Sequence, residues 1–385
     1  MKEMTITFVS NFLNHHQIPL CDAFVAIPDV EFKFIATEKV PDDRIRLGYK
    51  YEFDHLSYYR EAIEEKDIQT AEKLCYDSDT VIIGSAPISF VRQRLKEKKL
   101  TFTYNERWFK KGFWNHPGDV WRAIRDFTLT GNENFYQLCA SAYTAADSNR
   151  ILAFPGRKFR WGYFPEVRKY SDINNLMKWK RSASILWVAR LIELKHPEVP
   201  IYIAKRLKDE GYQFELNMIG SGELEDYLKR LISKNNLKDN VRMLGSMSPE
   251  DVREHMQLSQ IFLFTSDRNE GWGAVLNEAM NSGCAVVASH AIGSVPYLVR
   301  HGENGYIYSS GNNDELFYYV KKLLSSDIMC EKMGKNAYLT ISDMWNANVA
   351  AGRLYAFAKA KLNGGLFPIP KNGPFSYDFG KLKNT

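Results

Sequence analysis

Residues 265–283 read Thr265-Ser-Asp-Arg-Asn-Glu270-Gly-Trp-Gly-Ala-Val-Leu-Asn-Glu278-Ala-Met-Asn-Ser-Gly283. The apolar run Gln260–Thr265 predicts a strand entering this stretch, and Ala274–Asn281 predicts a helix leaving it. A strand, a glycine-containing loop and a helix in succession are the building unit of a parallel, doubly wound sheet. Gly271 and Gly273 leave the loop backbone open to close approach. The first amides of the helix, near Ala274 and Val275, have no intrahelical partner and sit at the positive end of the helix dipole, which suits a phosphate. Glu278 lies just over one turn into the helix, where its carboxylate can accept hydrogen bonds from sugar hydroxyls.

The same alternation runs outward in both directions. Further strands are expected at Thr5–Ser10, Glu31–Ala36, Thr80–Gly84 and Leu100–Tyr104. They continue at Ser184–Ala189, Phe214–Gly220, Asn240–Gly245, Cys284–Ser289 and Gly305–Tyr308. Helical spacing fills many of the gaps, as in Leu224, Tyr227, Leu228, Leu231 and Ile232. The alternation pauses at 166–183, a polar and basic stretch that reads as a linker. The expected fold class is therefore α/β, with two doubly wound Rossmann-like domains, 1–165 and 184–345, facing a cleft. A helix with Val349, Leu354, Phe357 and Leu362 follows from about 346 and is expected to pack back toward the N-terminal domain. The tail from Gly364 reads as loose or laid on the surface.

The 385 residues are too many for one simple core. They are 45% hydrophobic and 25% charged, which excludes a disordered chain. No apolar run is long enough to span a membrane, and Met1 to Pro19 does not read as a signal peptide. Cys21, Cys75, Cys139, Cys284 and Cys330 stand singly, without metal spacing or a disulfide pattern, so a reducing cytoplasm is expected. The net charge is only +5, and neither half carries a nucleic-acid arm. Residues 91–125 depart from that balance. Arg92, Arg94, Lys96, Lys98, Lys99, Arg107, Lys110 and Lys111 interleave there with Trp108, Phe109, Phe113 and Trp114. That pattern suits either an anionic membrane face or a solvated helix beside core aromatics.

Several further segments fall into one pattern. Trp187-Val-Ala-Arg190-Leu-Ile-Glu-Leu-Lys195 spans a strand end, with Arg190 and Lys195 just after a buried strand, and Met218-Ile-Gly220-Ser-Gly222 and Val241-Arg-Met-Leu-Gly245-Ser-Met247 lie at two further expected strands. Glu270 and Glu278 are spaced Glu-x7-Glu. Gly283-Cys-Ala-Val-Val-Ala-Ser and Gly302-Glu-Asn-Gly305 continue the series. Together these resemble the GT-B-fold retaining glycosyltransferases of family 4, over about 183–345 and, in the N-terminal half, by architecture. The resemblance implies that Arg190 and Lys195 grip a donor diphosphate and that Glu270 binds the donor sugar. It implies donor contacts from Gly222, Met247, Gly271, Trp272, Gly273, Ala274 and Val275, with Glu278 on the ribose. It also implies a nucleotide-sugar substrate, no cofactor and no metal. Uridine is favoured as the base, and the acceptor is a glycan or lipid-linked hydroxyl in surface polysaccharide synthesis. Two fixed cations and a helix N-terminus can stabilise a departing nucleoside diphosphate.

Acceptor residues are less sharply marked. Asn11, His15 and His16 follow the first strand, where relatives often carry glycines and this chain has none. Glu106 follows the strand Leu100–Tyr104, with a salt bridge to Arg107 as the plain alternative. Asp77-Ser-Asp79 precedes its strand and reads as a turn or cap, not a metal site. Gly220-Ser-Gly222 lacks the third glycine of a dinucleotide fingerprint. Two other readings keep the donor site but change the function: a nucleotide-sugar epimerase, which needs no acceptor, and a non-catalytic partner subunit that binds a nucleotide-sugar or glycan.

Overall fold

The computed structural model describes residues 3–42, 45, 52–110 and 112–380. The chain forms two compact units. One is built from the described residues of Met1–Pro165 and Trp345–Lys381, the other from Glu166–Met344.

The first unit contains β1 (Met4–Ser10), β2 (Val30–Ala36), β3 (Tyr59–Glu61), β4 (Thr80–Ile83), β5 (Thr101–Asn105), β6 (Phe135–Cys139) and β7 (Lys158–Arg160). All pair in parallel, in the order β3-β2-β1-β4-β5-β6-β7. Between them run α1 (Ile18–Val25), α2 (Glu65–Asp77), α3 (Ser89–Lys96), α4 (Pro117–Ala123) and α5 (Thr144–Arg150). The central strand β4, Thr-Val-Ile-Ile, is buried at every position, as a parallel strand covered on both faces must be.

The second unit contains β8 (Arg181–Val188), β9 (Glu215–Ile219), β10 (Val241–Gly245), β11 (Ser259–Phe264), β12 (Ala285–Ser289) and β13 (Gly305–Tyr308). The order is β10-β9-β8-β11-β12-β13, again all parallel. Its helices are α6 (Ile173–Trp179), α7 (Glu198–Asp209), α8 (Glu225–Lys234), α9 (Pro249–Leu258), α10 (Val275–Asn281), α11 (Val295–Leu298), α12 (Asn313–Leu324) and α13 (Asp327–Leu339). Several helix starts follow from local chemistry. The Ser248 hydroxyl accepts from the Asp251 amide, with Pro249 in the first turn, and Asn312 and Ser326 cap α12 and α13 in the same way. The polar stretch 166–183 carries α6 and the start of β8. The helix α14 (Ala347–Leu362) belongs to the first unit and packs on α1. Its buried stripe is Ala347, Ala350, Ala351, Leu354, Phe357 and Ala358, whereas Leu362 is exposed.

Two stretches are sharpened. Of the two readings of the tail, residues 365–380 take the second and lie against the first unit. Phe375 is fully buried and stacks on Phe159 with ring centroids 4.2 Å apart. The Phe375 amide donates to the Arg160 carbonyl, the Arg160 amide to Ser376 and the Asp378 amide to Lys158, at 2.7–2.9 Å. Aromatic anchors hold the segment despite its Gly, Pro and Lys content. The basic stretch 91–125 is part surface and part interior. Arg94 is fully buried and donates to the carbonyls of Cys75 (2.8 Å), Ser78 (2.5 Å) and Leu100 (2.7 Å), and burial lowers its pKa to about 10. Lys99 donates to the Tyr76 carbonyl at 2.9 Å, and Lys111 lies outside the described residues. Asp79 is structural: its carboxylate accepts from the amide and the hydroxyl of Thr5.

Candidate active site

In the second unit the strand order reverses at β8, which has β9 on one side and β11 on the other. Ligands of doubly wound sheets bind outside the carboxyl ends of the strands at such a point. The loops following β8 and β11 flank it, and they carry Arg190, Lys195, Glu270 and Gly271–Gly273.

These two loops are sewn together. The Trp187 indole donates to the Thr265 hydroxyl (2.9 Å), which donates in turn to the Lys195 carbonyl (2.7 Å). The Asp267 amide donates to the Leu194 carbonyl at 3.0 Å. His196, in the left-handed region at φ 49°, sits between Glu198 (3.2 Å) and Asp267 (3.4 Å). So held, the Lys195 ammonium reaches the Glu270 carboxylate as an ion pair, with the side chains only 14% and 13% exposed. Arg190 is exposed, and its guanidinium has no hydrogen bond or ion pair among the described residues.

The glycine turns have a steric cause. A Cβ on Gly220 would lie 1.9 Å from the Ala189 carbonyl oxygen, and one on Gly222 would lie 2.5 Å from that of Leu191. The loop after β8 thus passes directly over the loop after β9. Gly273, at φ +81°, faces the Phe264 ring, which a Cβ would meet at 2.4 Å. The Ser221 and Ser246 hydroxyls share a hydrogen bond of 2.7 Å, which brings the loop of Met247 beside that of Gly222.

After Gly273, Ala274 opens α10 with no side-chain cap, and the helix is only seven residues long. Trp272 is buried, and its indole donates to Asn277 at 2.9 Å, so this side chain fixes the loop from within. Val275 is half-buried. Burial raises the Glu278 carboxyl above its ordinary range, while Arg253 and Arg168 pull it back. Arg253 is itself buried and donates to Asn281 at 2.5 Å. Sequence reading missed both arginines, and they lie on other segments with no local motif. It also missed the hydroxyls of Ser266 and Ser294, which are buried without a hydrogen-bond partner.

The first unit has its own polar pocket of about 280 Å³ at the carboxyl ends of β1, β4 and β5. Glu106 lines it, with Ser10, Gln17, Asn105 and Tyr163. Glu106 accepts from Tyr163 (2.5 Å) and Lys110 (2.6 Å). The alternative pairing with Arg107 does not occur, because Arg107 faces Asp147 at 3.4 Å. Asn11, His15 and His16 do not line this pocket. Asn11 accepts from the Ser10 hydroxyl at 3.3 Å. The His15 and His16 rings lie 3.7 Å apart between centroids, tilted by 51°. Burial and His15 lower the His16 pKa to about 3, so this ring is neutral, and its Nδ1 is buried without a partner.

Residues 172–340 match the family described as Glycosyl transferases group 1. The match falls within the C-terminal unit. Over 175 residues the chain is 31% identical to the amylovoran biosynthesis glycosyltransferase AmsK of Erwinia amylovora, covering 44% of this chain and 43% of AmsK. Alpha-D-kanosaminyltransferase of Streptomyces kanamyceticus is 29% identical over 153 residues, covering 40% and 39%. The chain spans less than half the length of these curated relatives in the match. The fold of the whole chain is that of the GT-B glycosyltransferases. HepE of Anabaena, solved in complex with UDP, superposes with a TM-score of 0.68 at 15% identity, covering 93% of this chain and all of HepE. Among the described residues, no helix is long and apolar enough to cross a membrane.

Proposed function

We propose that this protein transfers a hexosyl group from a nucleotide-diphosphate sugar, with uridine favoured as the base, to a hydroxyl of a glycan or lipid-linked acceptor. The observation that carries the reading is the Lys195–Glu270 pair at the strand-order reversal, beside the exposed Arg190. A cation held close to a carboxylate suits a diphosphate and the sugar attached to it. Lys195 and Arg190 take the diphosphate charge, Glu270 accepts from sugar hydroxyls and Glu278 from the ribose. Departure of the nucleoside diphosphate concentrates negative charge where both cations stand, and such preorganised donors supply a large part of catalysis. This scheme needs neither metal nor cofactor, and activity should persist in a chelator.

The retaining outcome follows if the acceptor attacks on the face the diphosphate leaves, its proton passing to a phosphate oxygen, so that no side-chain base is needed. The acceptor site is the polar pocket of the first unit. The likeness to AmsK, an amylovoran biosynthesis glycosyltransferase, supports a role in polysaccharide biosynthesis, and we place that role in the cytoplasm, in the assembly of a surface polysaccharide. Arg92 and Lys96, with the exposed Trp114 and Trp121, give the chain a place to touch an anionic membrane surface.

A thermal-shift panel of nucleotides tests the donor assignment. A ligand at 100 times its Kd adds about 2.7 kcal/mol of stability, so UDP should raise Tm by several degrees. If no nucleoside diphosphate shifts Tm, the reading fails. Release of UDP from UDP-sugars in the presence of an acceptor glycan then tests transfer.

A further inference from the structure

Three cavities of the first unit share walls. The polar pocket at Glu106 and Tyr163 shares Gly84, Asn105 and Trp108 with a second cavity of about 550 Å³. That cavity has an apolar wall of Ile83, Ile88, Phe109 and Phe127 beside the charged Asp119, Arg122, Arg125 and Asp126, and shares Ile88, Arg125 and Asp126 with a third of about 300 Å³. The third combines Ile88, Leu95 and Leu129 with Arg92 and Lys96. Apolar side chains thus continue from the second cavity into the third, with exposed charged side chains beside them. The apolar wall is built from an unusual element: α4 continues into a π-helical turn at Ile124–Thr128, in which the Leu129 amide donates to the Ile124 carbonyl at 3.0 Å. Such turns are rare and occur mostly at functional sites. Phe127, on this turn, stacks on Trp108 with centroids 4.6 Å apart.

We propose that the second and third cavities hold the hydrocarbon chain of an amphipathic acceptor, whose polar end occupies the pocket at Glu106 and Tyr163. This deepens the transferase reading and rests on that pocket being the acceptor site. Hydroxyls of a sugar laid against Ile83, Ile88, Phe109 and Phe127 would go unpaired, which is unfavourable, and the charged side chains beside that wall already pair with one another, Arg122 with Asp119 and Arg125 with Asp126. A methylene chain needs none. The chain leads away from the polar pocket toward Arg92, which is exposed, and Lys96, where anionic headgroups would be met. Trp114, Trp121 and Leu129, on the segment that walls the cavity, are exposed at 83%, 61% and 63%, as befits residues beside a lipid surface.

The test is the binding of butyl, hexyl and octyl glucoside to the full chain, without nucleotide and below micelle-forming concentrations, followed by tryptophan fluorescence and calorimetry. Affinity should rise about fourfold for each added methylene. Ala86→Trp, which fills the second cavity, and Ile88→Glu, which charges its wall at a half-exposed position, should each flatten that rise. Both variants should keep the Tm shift given by UDP. Equal affinity for all three glucosides overturns the proposal, as does a rise that survives in both variants. If UDP gives no shift in any protein while the chain-length dependence holds, the transferase reading fails and the hydrocarbon site stands.

Discussion

Lys195 and Glu270 meet as an ion pair across two loops that leave adjacent parallel strands, 75 residues apart in the chain. In the proposed function a ligand diphosphate would share Lys195 with Glu270. Lys195→Ala and Arg190→Ala should each lower sugar transfer by ~10²–10³-fold, the usual loss for one donor to a developing oxyanion. Lys195→Ala combined with Glu270→Ala should cost much less than the product of the single losses, because the two act as one unit. Steady-state rates with a UDP-sugar decide the point, and near-normal turnover in both cation variants would remove their assigned roles.

The crossing of loops at Gly220 and Gly222 gives a second expectation. Gly222→Ala would put a methyl 2.5 Å from the Leu191 carbonyl oxygen, so the loop bearing Lys195 must move. Melting should fall by several degrees, in line with a loss of ~1–3 kcal/mol, and nucleotide affinity should fall with it. Gly211, where a Cβ would meet nothing within 4 Å, is the control: Gly211→Asn should leave nucleotide affinity unchanged.

Glu278 predicts a pH dependence. Its carboxyl is raised by burial and lowered by Arg253 and Arg168. Only the ionised form accepts from two ribose hydroxyls, so nucleotide binding should weaken as pH falls through this raised value. Arg253→Met removes the larger lowering influence, so the midpoint of that loss should move to higher pH. Calorimetric titrations of UDP across the acid range measure it. An unmoved midpoint would detach Glu278 from the nucleotide.

His16 predicts a stability effect of the opposite origin. Its folded pKa, about 3, lies below the ordinary value of 6.5, so the unfolded chain binds the proton first. Its contribution to stability is complete above about pH 6.5 and declines as pH falls toward 3, at up to about 1.4 kcal/mol per pH unit. In His16→Gln this part of the acid loss should be missing, and denaturant titrations between those pH values will show a shallower decline.

The architecture was legible because the central strands are buried on both faces and read as unbroken apolar runs. β4 and β11 are of this kind. β6 escaped notice because Gln137 interrupts its run; the structure shows Gln137 fully buried and accepting from the Ser148 hydroxyl at 2.6 Å. The three-residue strands β3 and β7 are rich in charge and carry no periodic signal. The site was legible in part. The positions of Lys195 and Glu270 follow from strand ends, but their pairing is tertiary. Arg253 could not be found, since nothing near it in the chain marks its approach to Glu278. The N-terminal pocket was the least visible: of four residues named from sequence only Glu106 lines it, because the loop after β1 turns His16 inward.

The buried ring of Phe375 has a consequence for biosynthesis. It completes the aromatic cluster of Phe102, Phe159 and Phe357, which belongs to the unit whose strands are translated first. At ribosomal rates of about 5–20 residues per second, roughly ten to forty seconds separate the emergence of residue 165 from that of residue 375. During this interval Phe102 and Phe159 lack the rings of Phe357 and Phe375 that pack on them. The second unit, continuous in sequence, can mature on the ribosome first, although its strands emerge last. Chaperone demand in the cell should therefore fall on the early half of the chain, and a truncation just before Phe375 should leave a product that is captured by chaperones or degraded.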